Sequence, residues 1–225
     1  MSGRPIIVVS FQLDVEKEAE FSEFYHHHYL PDLMRDVPQI VSARRYQEHH
    51  VEGSLKYYRK QFLTILECDS QAAAQTALAA MERQSAVVPA GAEPPCLYLE
   101  RWAHARVPVD GSFGSRPFFM VSVEVDAGRE QAFNDWYEQV YLPRNVADVP
   151  PWAGCRRYGS VGRTPARYLT LYEAHDLPGL DQSLEMMRAP FRLKENMSWK
   201  QWDTGANPAI TWEDAASFKP IFRNP

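Results

Sequence analysis

The sequence predicts an α+β protein in which one strand-helix-strand-strand-helix-strand unit occurs twice in a single chain. Three observations lead to this prediction: a long internal repeat, stretches of alternating or continuous apolar residues, and aromatic residues at helical spacing. The repeat aligns FSEFYHHHYLPDLMRDVPQIVSARRYQ, which begins at Phe21, with FNDWYEQVYLPRNVADVPPWAGCRRYG, which begins at Phe133, without a gap. Residues 112 positions apart in these segments are therefore expected to occupy equivalent places in two copies of one fold.

The repeat continues on both sides of this segment. Upstream, VVSFQLD at Val8 aligns with MVSVEVD at Met120 at the same offset. Downstream, the equivalent pairs are Phe62 and Tyr168, Thr64 and Thr170, and Glu67 and Glu173. Their offset is 106 residues, so the second copy is six residues shorter in a loop.

Each element of the first copy has a sequence signal. Residues 6–13 form a predicted strand, and Asp14 is a candidate cap for a helix that is predicted to end at or soon after Pro31. The apolar positions of that helix follow the spacing i, i+3, i+4 and i+7, at Phe21, Phe24, Tyr25 and His28. The remaining predicted elements are a strand over VSARRYQ, a strand over 56–67, a helix over 71–84 and a closing strand over CLYLERWAHARV.

The second copy repeats this order. Turn residues dominate VPVDGSFGSR, so the predicted division is a first repeat over 1–106, a linker over 107–116 and a second repeat over 117–225. Residues 190–203 add an aromatic, basic stretch that has no counterpart in the first copy, and SFKPIF is the predicted final strand.

A four-stranded sheet with two helices on one face leaves its other face bare and apolar, and exposure of such a face to water is energetically unfavourable. Two tandem copies solve this if their bare faces pack on each other as a barrel within the chain. The order of elements, the aromatic-Tyr-x-x-x-x-Leu-Pro pattern and the following Arg-Tyr strand resemble the dimeric α/β barrel superfamily. The chain is most similar to its EthD-like branch, here in tandem, and the resemblance implies two ferredoxin-like βαββαβ repeats packed sheet to sheet as an intrachain barrel.

The resemblance also implies a function. Members of this superfamily include cofactor-independent cyclases, isomerases and oxygenases, as well as haem-binding and haem-degrading proteins. Their reactive cavity lies between helices and sheet, and in many EthD-like sequences a histidine directly precedes the Leu-Pro pair. Tyr29 and Tyr141 occupy that position here, and His28 is the neighbouring residue in the first copy.

Composition limits the class of partner. The formal net charge of −5 and pI near 5.8 give no basic surplus for phosphates, so neither DNA nor RNA is expected as a partner. The three cysteines are far apart, which favours a reducing cytoplasm over a disulfide framework. No apolar stretch has the length of a membrane span or a signal-peptide core, so we expect neither.

The triple histidine suggests a metal site, but its spacing argues against one. Three consecutive helical residues point in different directions, whereas ligands on a helix need i, i+3 or i+4 spacing. Glu23, His49 or His50 would have to supply the missing ligands, so no metal is predicted. The helical projection places His26 and His27 on a solvated face and His28 with the aromatic residues. Because the counterpart of His28 is Val140, His28 is either a hydrogen-bonded core histidine or a functional residue.

The two Arg-Arg-Tyr strands carry the second polar signal. Alternation places Arg44 and Tyr46 on one sheet face and Arg45 on the other. In the second copy it likewise separates Arg156 and Tyr158 from Arg157. Because both faces are covered, at least one arginine in each copy is expected to need a buried acidic partner or an anionic ligand. Glu67 and Glu173 are candidate partners. The aromatic set of the two helices is predicted to be mostly core, with any cavity suited to a flat ligand.

The favoured hypothesis is a cofactor-independent enzyme that acts by proton transfer on a small aromatic or polyketide-like molecule, as a cyclase, isomerase, lyase or oxygenase. His28 is the predicted acid or base, with Tyr29 stabilising an oxyanion. The predicted substrate-binding residues are Phe24, Tyr25, Arg45, Tyr141 and Arg157. The alternatives are a non-catalytic small-molecule-binding or accessory protein and a haem-binding or haem-degrading protein. The expected partner is a small aromatic or apolar substrate, and the chain is expected to be a monomer or a homodimer.

Overall fold

The computed structural model describes residues 3–50, 59–83, 92–106 and 115–224. The chain forms two compact units. Unit 1 comprises Met1–Leu99, Gly111–Ser115 and Phe218–Pro225, and unit 2 comprises Glu100–Asp110 and Arg116–Ser217. Residues 107–114 of the predicted linker lie outside the described residues, so the predicted division of the chain at 107–116 stays a prediction.

The order of elements agrees with the predicted repeat. The strands are β1 (Ile6–Asp14), β2 (Ile40–Glu48), β3 (Arg59–Cys68), β4 (Cys96–Ala105), β5 (Phe118–Val125), β6 (Trp152–Ser160), β7 (Ala166–Ala174) and β8 (Ile210–Asn224). The helices are α1 (Glu18–Phe24), α2 (Leu30–Asp36), α3 (Gln71–Arg83), α4 (Glu130–Trp136), α5 (Leu142–Asp148), α6 (Leu177–Arg188) and α7 (Leu193–Asp203). Short 3₁₀ turns, Val15–Lys17 and Pro190–Arg192, precede α1 and α7.

In unit 1, β3 is the central strand. It pairs antiparallel with β1, where Ile6 lies opposite Glu67, and with β2 on its other side. The free edge of β1 pairs with Cys96–Tyr98 of β4, and the free edge of β2 pairs with Phe218–Asn224 of β8. The two outer positions of this sheet are thus filled by parts of longer strands.

In unit 2, β7 takes the same central place between β5 and β6, and Phe118 lies opposite Glu173. The hydrogen-bonded strand order for the whole chain is β1-β3-β2-β8-β5-β7-β6-β4, and it closes into a barrel. The predicted fold class, an α+β protein of two ferredoxin-like repeats that form a barrel, is therefore confirmed.

The first helix of each copy does not end at its proline. The helical path runs through α1, a five-residue π-helical segment (Tyr25–Tyr29) and α2 to Asp36, which is further along the chain than the predicted end at or soon after Pro31. Proline has no N–H to donate, and in a regular α-helix its ring crowds the carbonyl four residues earlier. The wider π turn, in which the N–H of Leu30 donates to the carbonyl of Tyr25, leaves room for the ring.

The end of the chain also differs from the prediction. The predicted strand SFKPIF covers less than half of β8, which runs from Ile210 to Asn224. Acidic residues interrupt the apolar pattern of its first half, so that half carried no strand signal. The pairing of β2 with β8 shifts register next to Pro220, as expected for a residue that cannot donate to the ladder. No helix in the described ranges is long and apolar enough to span a membrane.

Candidate functional site

The α1–α2 path and the α4–α5 path, which contains a second π-helical segment (Tyr137–Tyr141), each carry a largely buried stripe of aromatic rings spaced four residues apart. In unit 1, Phe21 and Tyr25 stack at 5.1 Å between ring centroids, and Tyr25 and Tyr29 follow at 4.9 Å. In unit 2 the equivalent distances are 5.3 Å for Phe133 and Tyr137 and 5.2 Å for Tyr137 and Tyr141. The repeat therefore preserves an aromatic face on both helices.

His28 does not lie on that face. It is exposed and stacks at 6.1 Å on Phe24, which is itself 44% exposed. The expectation that His28 points with the buried aromatics is wrong, because Phe24 and His28 form the outer edge of the helix while the stripe through Tyr25 forms its inner edge. Tyr29 is buried as the stripe requires, and burial raises its pKa. The catalytic roles assigned to His28 and Tyr29 stay predictions.

His26, rather than His28, is the histidine that reaches an interior group. Its ring is half-buried and stacks on Phe222 with 4.2 Å between centroids and 7° between planes. Its Nε2 lies 3.0 Å from Nη1 of Arg45, and because a guanidinium has no acceptor, Nε2 accepts this hydrogen bond. Burial, reinforced by the charge on Arg45, lowers the pKa of His26 to about 4. The expected solvated position is correct for His27, whose side chain is 60% exposed, and wrong for His26.

One arginine of each Arg-Arg pair has a structural partner. Arg44 Nη1 donates to Glu67 Oε2 at 2.6 Å. Arg156 Nε donates to Glu173 Oε1 at 3.1 Å, and both pairs are buried. The expected pairing of an arginine with each of these glutamates is confirmed, and it belongs to the scaffold.

The second arginine of each pair lies on the opposite face. Arg157 is buried beneath Tyr137, with its Cζ 4.6 Å from the ring centroid, and it donates to Glu138. Arg45 is equally buried, but it donates to Ser22 and His26 and to no carboxylate in the described part of the chain. The substrate-binding roles predicted for both arginines stay predictions.

A cavity of about 230 Å³ lies within unit 2, between the α4–α5 helical path, α6, α7 and the strands β5, β7 and β8. Its lining residues are Phe119, Val121, Tyr137, Tyr141, Tyr172, Met187, Asn196, Trp199, Glu213 and Ala215. Of the predicted site residues, Tyr141 lines this cavity and Arg157 does not. Phe24, Tyr25, His28, Tyr29 and Arg45 all belong to unit 1.

Two tyrosine hydroxyls meet at the inner wall of the cavity. The hydroxyls of Tyr137 and Tyr172 are 3.5 Å apart, and Asn145 Nδ2 donates to the Tyr172 hydroxyl at 3.2 Å. Burial raises the pKa of both tyrosines, so both remain protonated near neutral pH. Because one O–H donates within the pair, the other O–H is available to donate to an oxygen placed in the cavity.

A carboxylate lies at the rim of the same cavity. Glu213 Oε2 accepts a hydrogen bond of 3.3 Å from the indole N–H of Trp199. Burial raises the pKa of Glu213, the hydrogen bond from Trp199 opposes this effect, and the charges of Asp203 and Asp214 add to it. A higher pKa makes a carboxylate a stronger base towards a substrate proton.

Trp199 and Glu213 are the functional candidates that sequence reasoning missed. Trp199 lies on α7 and Glu213 on the first half of β8. Neither segment has an aligned counterpart in the first copy, so the repeat gave them no equivalent position. The one signal was the aromatic stretch 190–203, which stood out because the first copy lacks it.

The histidine cluster gathers no metal-binding set. Within the described ranges, no group of three or more His, Cys, Asp or Glu residues is arranged to hold a metal ion. His50 lies 3.9 Å from Glu48, and His27 lies 3.7 Å from Glu23, as separate pairs.

No protein-family model matches the chain, and no curated protein matches it. Solved structures match over nearly its whole length. A proposed monooxygenase from Fusobacterium nucleatum subsp. nucleatum is similar at 11% identity with a TM-score of 0.60, over 99% of this chain and 95% of that chain. An anthrone oxidase-like protein is similar at 11% identity with a TM-score of 0.61, over 99% and 93%.

A mutant chlorite dismutase from Candidatus Nitrospira defluvii is also similar, at 11% identity and a TM-score of 0.50, over 98% of this chain and 93% of that chain. At this identity the three likenesses establish the fold alone. They agree with the ferredoxin-like barrel derived from the strand order.

Proposed function

We propose that the chain is a cofactor-independent enzyme that acts by proton transfer on a small aromatic or polyketide-like molecule in the cavity of unit 2. The observation that carries this proposal is the placement of Glu213 and of the Tyr137–Tyr172 hydroxyl pair on the walls of one aromatic cavity. A base and oxyanion donors around a flat apolar space are the groups that such a reaction needs.

The proposed chemistry begins with removal of a proton from a carbon or hydroxyl of the substrate by the Glu213 carboxylate. The electron pair left behind delocalises onto a substrate oxygen, and the O–H of the tyrosine pair that is not used between the two hydroxyls donates a hydrogen bond to that enolate or phenolate. Returning the proton to another atom gives an isomerase, cyclase or lyase. If molecular oxygen takes up the electrons of the carbanion, the same first step gives an oxygenase.

The similar structures support this class of reaction. Two of them bear the names of oxygen-using enzymes, one being anthrone oxidase-like. We therefore place the chain with the EthD-like branch of the dimeric α/β barrels, as a tandem duplication acting in the cytoplasm. This placement is part of the proposal, since the likeness itself is one of fold.

The cavity residues do not fit haem. The described residues that line the cavity include no histidine or cysteine, and the tyrosines among them would have to bind iron as phenolates. Burial raises the pKa of Tyr141 and Tyr172 and so favours the neutral phenol. The volume of about 230 Å³ is also at the small end for a ligand pocket. We derive no step through haem.

Anthrone is the first substrate to test, with oxygen uptake and the appearance of anthraquinone as readouts. The wild-type chain is expected to consume one O₂ per anthrone and to release water. Glu213→Gln is expected to lower turnover by ~10²-fold or more while leaving the dissociation constant within a few fold, because the amide keeps the shape and loses the base.

Glu185→Gln, on the exposed side of α6, is the matched control and should retain full activity. Equal turnover by the Glu213→Gln variant would remove Glu213 from the mechanism. Tight binding of anthrone and of related aromatic ketones without turnover would instead favour the alternative of a non-catalytic binding protein.

A further inference from the structure

The two copies surround their buried inner arginine with different chemistry. Arg45 in unit 1 and Arg157 in unit 2 are equivalent by sequence. The equivalent neighbours are Glu18 and Glu130, Ser22 and Asn134, His26 and Glu138, Gln47 and Gly159, and Phe62 and Tyr168.

In unit 2 the guanidinium is matched by side chains of the same unit. Arg157 Nη1 donates to Glu138 Oε1 at 2.5 Å, and Nη2 donates to Asn134 Oδ1 at 2.7 Å. Glu138 also accepts from Arg101 Nε at 2.9 Å. A buried cation is thereby paired with a carboxylate and an amide, as burial of a charge requires.

In unit 1 both of these groups are missing. Arg45 is 0% exposed, and its Nη1 donates to Ser22 Oγ at 2.9 Å and to His26 Nε2 at 3.0 Å. The shorter serine does not reproduce the contact that Asn134 makes with Nη2. As a result Nε and Nη2 of Arg45 have no hydrogen-bond partner among the described residues, whereas Arg157 lacks a partner at Nε alone.

The remaining neighbours do not replace the lost carboxylate. Glu18 accepts a hydrogen bond from Gln47, which stands where unit 2 has a glycine. Aromatic rings surround the guanidinium, with the Phe62 centroid 4.6 Å and the Tyr25 centroid 5.1 Å from Cζ. Burial nevertheless lowers the pKa of Arg45 to about 10, and the opposing effects of Tyr25 and Glu18 are smaller.

We propose that unit 1 binds the carboxylate of a small organic anion on the unpartnered Nε–Nη2 edge of Arg45. That edge is one side of the planar guanidinium, and its two parallel N–H groups match the two oxygens of a carboxylate. The ligand supplies to Arg45 the charge that Glu138 supplies to Arg157. Ser22 and His26, which contact Nη1 of Arg45 from the helical side, are half-buried.

The test uses acetate, which is small enough for this edge and has no ring that would favour the aromatic cavity of unit 2. The midpoint of thermal unfolding is measured against sodium acetate and against sodium chloride at equal ionic strength. Wild type should be stabilised progressively by acetate beyond the effect of chloride, as mass action requires for a ligand of the folded state.

His26→Glu places a carboxylate beside Arg45, as unit 2 does with Glu138. This variant should be more stable than wild type in chloride, and its affinity for acetate should fall at least tenfold. Ser22→Asn, which places an amide near Nη2, should also weaken the response to acetate. His27→Glu adds the same charge at an exposed neighbouring position and should respond like wild type.

Two results would overturn the proposal: acetate that stabilises wild type no more than chloride does, or a His26→Glu variant that responds to acetate like wild type. If His26→Glu does not fold, Ser22→Asn decides, because an unchanged response in that variant is equally incompatible with a site at Nη2.

Discussion

The chemistry proposed for unit 2 depends on the protonation of one carboxyl group. Glu213 must be ionised to act as a base, and three neighbours set its pKa in different directions. Burial and the charges of Asp203 and Asp214 raise the pKa, while the indole hydrogen bond from Trp199 to Oε2 lowers it. The hydrogen bond from Trp199 and the charge of Asp214 can be removed separately by substitution. The assignment of Glu213 as the base can therefore be tested by the pH dependence of the rate.

Removing each influence should move the acidic limb of the kcat/KM profile in a defined direction. Trp199→Phe removes the hydrogen bond that lowers the pKa of Glu213, so the pKa rises and the limb moves to higher pH. Asp214→Asn removes a charge that raises the pKa, so the limb moves to lower pH. Rates of the two variants and wild type are compared from pH 4 to 9 with one substrate. Shifts in the same direction for both variants would show that another group limits the reaction.

At the scale of elements, α7 is what distinguishes the second copy. Trp202 anchors this helix: its side chain is 8% exposed, and its ring lies 5.5 Å from Phe133 and 5.3 Å from Trp136 on α4. One turn earlier on the same helix, Trp199 lines the cavity. The packing of Trp202 against α4 therefore determines where Trp199 lies along the cavity.

Trp202→Ala should destabilise the protein and weaken ligand binding together. Loss of a buried indole costs about 3–5 kcal/mol of unfolding free energy, and a loosened α7 no longer holds Trp199 against the cavity. Trp212→Ala is the control, because that ring is 36% exposed and should cost about 1 kcal/mol or less. Urea unfolding and ligand titration measure the two effects. Unchanged binding in Trp202→Ala would mean that α7 does not shape the site.

At the scale of the whole chain, the repeat made the fold predictable. Helical and strand periodicities mark the elements in both copies, and the equivalence of Glu67 with Glu173 indicated the buried pairs with Arg44 and Arg156. Periodicity failed at the π-helical segments, since a projection at regular helical spacing grouped His28 with Phe21 on the buried side.

The candidate site was less predictable for a related physical reason. Glu213 and Trp199 meet because α7 and the first half of β8 pack together, and neither stretch of sequence aligns with the first copy. The replacement of Glu138 by His26 was visible in the alignment, but its meaning depends on which side chains contact Arg45. Pattern alone does not give such contacts, because they depend on the packing of a helix against a strand.

The replacement of Glu138 by His26 should also be detectable in the pH dependence of stability. The pKa of His26 is about 4 in the folded chain, lowered by burial and by Arg45 from an ordinary value of 6.5. As the pH falls from 6.5 towards 4, the unfolded chain binds a proton at this position and the folded chain does not. The free energy of unfolding therefore falls across this window.

His26→Gln should lose less stability than wild type between pH 6.5 and pH 4, by roughly 1 kcal/mol, a value below the full linkage because solvent reaches the ring. His28→Gln removes an exposed histidine that is not among the groups that lower the pKa of His26, and this variant should keep the wild-type slope. Urea unfolding at a series of pH values measures both slopes.

Since the lowered pKa depends partly on the charge of Arg45, binding of acetate beside that charge should raise the pKa of His26 and reduce the wild-type slope. Identical slopes for wild type and His26→Gln at every acetate concentration would show that His26 does not bear on the buried guanidinium.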